Sequence, residues 1–242
     1  IEEAGELLES QVLAVLPQSL QHLIMIGDEK QLRPSVNSYE LEKNNNINIS
    51  MFERLIRLGA SKTSLATQLR MRPEISALIQ PFYDGILEDH PRVCDYPNVK
   101  GIKGNVIFMT HKEPEQSTDT TKSNMFEVLY ISQMVQYILN VGQYTCNDIT
   151  VIAAYKGQTN KLKDALASKK VRIVTIDDYQ GEENKIIILS LVRSNKDNKA
   201  GFVAIQNRMI VALSRAREGL YILGNSDLLE SASNDWYHVL KI

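Results

Sequence analysis

Cysteine is scarce: Cys94 and Cys146 are the only two among 242 residues. They lie far apart, which suggests no disulfide framework and fits a reduced compartment. The four histidines, His22, His90, His111 and His238, have no neighbour at metal-ligand spacing, which argues against a zinc site. Long apolar runs are missing too. The longest, such as Ile186–Leu189, have strand length, far short of the roughly 20 residues a membrane helix needs. No charge of one sign dominates. Lys and Arg total 27 against 29 Asp and Glu, a formal charge of −2. A broad basic surface for duplex nucleic acid is thereby excluded, while a local basic groove remains compatible. The chain starts at Ile1 with no signal-peptide pattern and reads as a segment of something longer. This leaves cytoplasm, RNA granules and nucleus open as locations. What is present is ordinary for a globular protein: 43% hydrophobic and 23% charged residues, enough for one large domain or two small ones.

Short apolar strands alternate with helical stretches. The pattern predicts strands at His22–Ile26, Asn105–Met109, Thr150–Ala154, Arg172–Ile176, Lys185–Leu191 and Leu220–Leu223. It predicts helices at Gly5–Val15, Met51–Leu58, Pro73–Tyr83, Asn124–Asn140, Gln158–Ala167 and Gln206–Ala216. In the fourth helix, Phe126, Leu129, Tyr130, Met134, Tyr137 and Ile138 recur near helical spacing and read as a core-facing stripe. The alternation implies an α/β fold with a mainly parallel sheet. Two polar segments interrupt it: asparagine-rich Glu42–Ser50, read as a surface loop, and Lys112–Ser123, read as mobile. A change of unit falls around Ser61–Ser64, dividing the chain into 1–62 and 63–242.

Six strings carry chemistry. Glu2-Glu3-Ala4 places two adjacent carboxylates before a helix. The pair suits a magnesium ligand beside a water-activating base, and equally suits a helix N-terminus. In Gly27-Asp28-Glu29-Lys30-Gln31-Leu32-Arg33-Pro34 an apolar strand ends in a polar loop, and the Gln31 amide could orient water or sense a phosphate. Gln68-Leu69-Arg70-Met71-Arg72-Pro73 sets two arginines one residue apart, so in an extended segment both point the same way. Surface salt bridges would use them as well. Thr175 to Glu183 and Ser190 to Asn195 are strands followed by polar turns, whose hydroxyl, amide and guanidinium groups can track a sugar-phosphate backbone. Finally, Arg208 and Arg215 flank Met209–Ser214 seven residues apart, on one face of a continuous helix.

In this order the strings resemble the motifs of superfamily 1 helicases of the nonsense-mediated RNA decay type, written "DEA", "GDxxQLxP", "QYRMxP", "TxDxxQGxE" and "VALTRA". The strings "HPRV", "DDYQGEEN" and "SLVRSN" look most like the subgroup with NFX-type zinc fingers, linked to RNA silencing and antiviral defence. The resemblance implies two RecA-like domains of the P-loop NTPase fold. ATP and Mg²⁺ would lie in the cleft between them, and single-stranded RNA would cross both. This chain would supply the end of the first domain and all of the second, a parallel sheet with helices on both faces.

The resemblance further implies that Glu2 holds magnesium, Glu3 activates water and Gln31 senses the γ-phosphate. Arg70 and Arg215 would be arginine fingers. Asp28, Gln68, Leu69, Gly181, Glu183 and Arg217 would lie at the nucleotide. Tyr155, Gln158, Thr175, Arg193, Ser194 and Asn195 would face the nucleic acid. The partners implied are single-stranded RNA, the upstream RecA-like domain and RNA-silencing proteins. Three positions depart from the pattern: Glu2 stands where Asp is usual, Leu69 where an aromatic stacks on adenine, and Ala154 where a proline begins "PYxxQ". No Gly-x-x-x-x-Gly-Lys-Ser/Thr occurs, so the backbone nest for the β- and γ-phosphates is expected upstream, and the isolated chain is expected not to hydrolyse ATP. The activity implied is ATP-driven movement on, or unwinding of, RNA. The rivals are a DNA helicase and an ATP-gated RNA clamp that scaffolds a silencing complex.

Overall fold

The computed structural model describes residues 1–36, 38–118 and 121–242, with Tyr39 and Lys43 as backbone only. It forms two compact units, Ile1–Leu65 and Ala66–Ile242.

In the first unit, a 3₁₀ turn at Ala4–Glu6 precedes helices α1 (Glu9–Ala14), α2 (Tyr39–Asn45) and α3 (Met51–Arg57). Part of the segment read as an asparagine-rich loop is therefore helix: Ser38 caps α2 and Asn46 closes it in the left-handed region. Two bidentate ion pairs tie the unit together, Arg54 to Glu9 and Arg33 to the buried Glu53. The predicted strand His22–Ile26 does not register as one. Its backbone bonds to Ile1–Ala4, through Ile1 N to Ile24 O, Ile26 N to Ile1 O and Ala4 N to Ile26 O. These bonds follow the parallel pattern, so the segment runs extended beside Ile1–Ala4.

The second unit contains two short pairings and one large sheet. Strands β1 (Thr67–Gln68) and β2 (Glu88–Asp89) pair in parallel. The sheet is built from β3 (Val106–Thr110), β6 (Ile149–Ala153), β7 (Arg172–Thr175), β8 (Asn184–Ser190) and β9 (Ala216–Gly224), in the order β3-β9-β8-β6-β7, all parallel. The remaining strands, β4 (Gln116–Ser117) and β5 (Lys122–Ser123), form an antiparallel hairpin. The polar segment Lys112–Ser123 thus carries a hairpin, with residues 119 and 120 outside the described ones. Glu115 is anchored by four donors, and Thr121 Oγ1 accepts the Gly157 amide.

β6 and the second half of β8 are buried at consecutive positions, as a sheet covered on both faces requires. Helices α6 (Met125–Val141) and α7 (Lys156–Ala165) pack on one face through Val128, Ile131, Val135, Ile138 and Leu162. On the other face, Trp236 of α10 (Asn234–Val239) meets Phe108 edge-on at 6.4 Å between ring centroids. The stripe expected to face the core is corrected here. Ile138 of that stripe is buried and Met134 packs against the core, but Phe126, Leu129, Tyr130 and Tyr137 are exposed, and Val128, Ile131 and Val135 make the rest of the contact. Compact branched side chains fit a close helix–sheet approach better than large rings.

Two further helices end early. Pro73–Tyr83 divides into α4 (Pro73–Ser76) and a 3₁₀ turn at Gln80–Tyr83, because Pro81 lacks an N–H and clashes with the preceding turn. α8 (Gln206–Leu213) stops before Ala216, which begins β9. Arg215 is thus off the helix, and Arg208 and Arg215 do not share its face. α9 (Ser226–Ala232) and α10 were not foreseen; Asn225 and Ser233 cap them. Between Pro73 and Val106 lies α5 (Pro91–Cys94).

Candidate functional site

In the first unit, the pairing of Ile1–Ala4 with Ile24–Ile26 carries the acidic pair to the Gly27–Gln31 loop. Gly5 permits the close approach: a Cβ there would lie 2.9 Å from Asp28 O. Glu2 and Glu3 are exposed, and Glu3 adopts a left-handed backbone, φ 47°, uncommon for a residue with a side chain. The Asp28 carboxylate accepts the Lys30 amide at 2.9 Å and Gln31 Nε2 at 2.8 Å, so Asp28 aims the amide of Gln31. Glu2, Glu3, Asp28 and Gln31 therefore come together from positions some 25 residues apart. Among the described residues no cluster of three or more His, Cys, Asp or Glu is set to hold a metal. Magnesium held through one carboxylate, phosphates and waters needs no such cluster, so Glu2 fits that chemistry.

In the second unit the candidate residues divide between opposite ends of the sheet. At the amino ends, Glu183 precedes β8 and Arg215 precedes β9. Arg70 Nε donates to Glu183 at 2.5 Å and its Nη1 to Ser214 O at 3.1 Å. Arg217 lies 3.8 Å from Glu183 and 5.6 Å from the Tyr96 ring centroid. The Arg217 Nε and the Tyr96 hydroxyl are buried without a hydrogen-bond partner among the described residues. Arg70 and Arg217 are thus two partly exposed guanidiniums on either side of the Glu183 carboxylate, and guanidiniums suit phosphate oxygens. Gln68 supports it by bonding Asp89, Met71 O and the Arg70 and Met71 amides. Leu69 is 51% exposed and Gly181 is exposed. Arg215 differs: it is 1% exposed, and its guanidinium holds Val211 O, the Ser214 hydroxyl and Glu182 O.

At the carboxyl ends, Thr175 closes β7, Tyr155 follows β6, and Val192–Asn195 follows β8. β8 alone spans seven residues, so the two ends are roughly 20 Å apart. Arg193 donates to Glu115 at 2.9 Å, to the Tyr155 hydroxyl at 3.1 Å and to Ala200 O at 3.2 Å. The Ser194 amide and Asn195 Nδ2 reach the same Glu115 oxygen at 2.9 and 3.1 Å. Burial pushes the Glu115 carboxyl up, but these donors and Lys122 outweigh it and hold its pKa below the usual carboxylate range. The Thr175 hydroxyl donates to Asp178 at 2.7 Å. Gln158 is fully buried, with its amide bonded to the Asn124 backbone and Ser190, so it braces the site from within.

Sequence reasoning missed Glu115 and Glu127. Glu127 is buried on α6, where it accepts from the Ser190 hydroxyl and from the Val192 amide at 2.9 and 3.1 Å, and pairs with His111. Burial pushes its carboxyl above the usual range, against the hydrogen bonds of His111 and Ser190. Val192 has φ 70°, strained for a β-branched residue, and the two carboxylates on either side hold it there. A helical stripe hid Glu127, and a polar run hid Glu115; neither offered a readable signal.

An all-parallel sheet layered by helices, with a guanidinium cluster at one end and strand-end polar loops at the other, defines a RecA-like α/β domain. Comparison with known proteins narrows the class. The family described as "AAA domain" matches residues 47–227. The mouse protein "NFX1-type zinc finger-containing protein 1" (Mus musculus) is 44% identical over 234 residues, covering 95% of this chain and 12% of that protein. "Helicase required for RNAi-mediated heterochromatin assembly 1" of Schizosaccharomyces pombe is 37% identical over 252 residues, covering 100% of this chain and 25% of that protein. A solved structure titled "The structure of PRRSV helicase" shares the fold, with TM-score 0.51 and 19% identity over 96% of this chain and 35% of that one. The chain belongs to this AAA-domain family, within the superfamily 1 helicases. It spans only about a tenth to a quarter of the length of these curated relatives.

Proposed function

We propose that this chain is the C-terminal part of an ATP-dependent RNA helicase core. The carrying observation is the division of the second unit: Arg70, Arg215 and Arg217 stand at the amino ends of the sheet, and Thr175, Tyr155 and Arg193–Asn195 at the carboxyl ends. One rigid sheet then links nucleotide to nucleic acid, so closure on ATP shifts the grip on the strand. Arg70 and Arg217 reach phosphate oxygens directly. Arg215 acts as a finger after leaving the Ser214 hydroxyl and Val211 carbonyl. Glu2 would hold Mg²⁺, Glu3 would take the proton of the attacking water, and Gln31, aimed by Asp28, would sense the γ-phosphate. Bound ATP supplies the phosphoryl group whose transfer drives the cycle. Leu69 offers the base only an apolar edge, with Gly181 and Gln68 as neighbouring framework. Thr175, Tyr155 and Arg193–Asn195 line the strand path, and Gln158 braces it. RNA is favoured by the name of the S. pombe relative, which ties it to RNAi-mediated heterochromatin assembly, and RNA-silencing proteins are the partners this suggests. Among the described residues no helix is long and apolar enough to cross a membrane.

The test is ATP turnover by the full-length protein with no nucleic acid, with single-stranded RNA and with single-stranded DNA, alongside displacement of an RNA strand. RNA-stimulated turnover with displacement is expected. Turnover without displacement supports the clamp instead, stronger stimulation by DNA supports a DNA helicase, and stimulation by neither refutes the reading.

A further inference from the structure

Phe202 lies outside every motif above, yet it is 52% exposed beside the strand-end loops. It belongs to a 3₁₀ turn at Gly201–Ala204, between the Arg193–Asn195 loop and α8. Its ring lies 5.8 Å from that of Tyr155, tilted 35°. The Arg208 guanidinium carbon sits 4.9 Å from its centroid, and Asp177 fixes that guanidinium with two bonds of 2.8 and 3.0 Å. Gly201 has φ 62°, and a Cβ there would stand 2.2 Å from Arg193 Nη1. The turn is thus pressed against Arg193, with no room for a side chain before the ring.

A single exposed apolar residue is ordinary. This one differs in its surroundings. It closes a stack that begins with buried Tyr155, it is flanked by two guanidiniums each held by a carboxylate, and it occupies the end of the sheet where Thr175 and Arg193–Asn195 lie. Hydrophobic packing inside the domain does not explain a ring half in water, held from three elements. Aromatic faces beside guanidiniums are what single-stranded nucleic acids use for their bases, because every base offers a π-face.

We propose that Phe202 is a base-stacking platform for single-stranded nucleic acid, with Tyr155 and Arg208 as its supports. The proposal rests on the nucleic-acid reading of this end of the sheet and adds to it a contact with bases, where the hydroxyl, amide and guanidinium groups contact backbone.

The experiment compares the full-length wild type, Phe202→Ala and Phe202→Trp by fluorescence anisotropy. The probes are a single-stranded RNA and an oligomer of the same length built from abasic sugar-phosphate units. Losing one base stack weakens Phe202→Ala on the RNA by about 5- to 150-fold. The defect disappears on the abasic oligomer, and Phe202→Trp restores RNA affinity. The salt dependence of RNA binding keeps its slope, because no phosphate contact is removed. Unchanged RNA affinity in Phe202→Ala overturns the proposal, as does an equal loss on both probes, which would mark a backbone contact or a damaged fold. Wild type that binds neither probe fails a stage earlier and overturns the nucleic-acid reading itself.

Discussion

Removing the Glu115 carboxylate should destabilise the second unit severely. The carboxylate is 7% exposed and faces Arg193, itself 6% exposed. In Glu115→Ala the Arg193 guanidinium keeps only the Tyr155 hydroxyl and Ala200 O. The Ser194 amide, Asn195 Nδ2 and Lys122 each lose an acceptor as well. Breaking one side of a buried pair costs about 3–5 kcal/mol. For a unit of this size that corresponds to a fall in Tm of about 6–20 °C. The only tryptophan, Trp236, is buried in the same unit and donates to Val203 O at 2.6 Å, so its fluorescence reports the unfolding in urea. The sign with pH follows from the lowered Glu115 pKa. The unfolded carboxyl titrates near 4.5, so the stabilisation is complete above that value and is lost as pH falls through the lower folded value. The gap between wild type and variant should therefore hold steady from neutral pH to about pH 5 and narrow on further acidification. A cost under about 1 kcal/mol at neutral pH would mean that water replaces the pair freely, and would refute the view of Glu115 as the anchor of the strand-end loop.

Leu69→Tyr should lower the KM for ATP in the full-length protein with kcat little changed, since stacking on the base helps ground and transition states alike; an unchanged or raised KM would place Leu69 away from the base. Arg215→Lys should nearly abolish RNA-stimulated turnover while leaving nucleotide-free RNA affinity intact, because lysine lacks the planar fork and a finger contributes on the order of 10³ to 10⁵ in rate. If Arg217→Lys is dead instead and Arg215→Lys active, the finger is Arg217. Asp148→Asn should cost about 1–2 kcal/mol at pH 7 by losing Lys185 and weakening the turn with Thr145. Its pKa is lowered to about 2 by these bonds against burial, so the stabilisation is present above the ordinary value of 3.8 and is lost as pH falls toward 2, as paired melts of both proteins would show.

The sheet was legible because its strands are apolar at consecutive positions and bounded by polar turns. β8 follows from the apolar run Ile186–Leu189 and β6 from Ile149–Ala153. What was illegible has local causes. α6 carries two apolar stripes, and periodicity cannot choose between them; the approach distance to the sheet does. Pro81 was a readable breaker, passed over because the apolar pattern continues across it. β9 starts well before its apolar centre: Ala216 pairs with Asn184 at the start of β8, a register shift takes up Arg217 and Glu218, and this took Arg215 off the helix. Thr175 and Arg193–Asn195 were read as strand-end and turn positions, where they lie, whereas Arg215 was read as helical and lies between α8 and β9. That they occupy opposite ends of one sheet follows from which strand precedes and which follows each motif. The carboxylates that hold them, Glu115 and Glu127, are distant in sequence and bear no motif.

The account rests on Glu3 as the group that activates water for ATP hydrolysis, held in its left-handed backbone beside the Asp28–Gln31 loop. The direct measurement is single-turnover ATP hydrolysis by full-length Glu3→Gln with saturating single-stranded RNA, with ATP and RNA binding measured in parallel. Binding of both should persist while turnover falls at least about 100-fold, the smallest loss expected for a general base. Turnover at the wild-type rate would contradict the account.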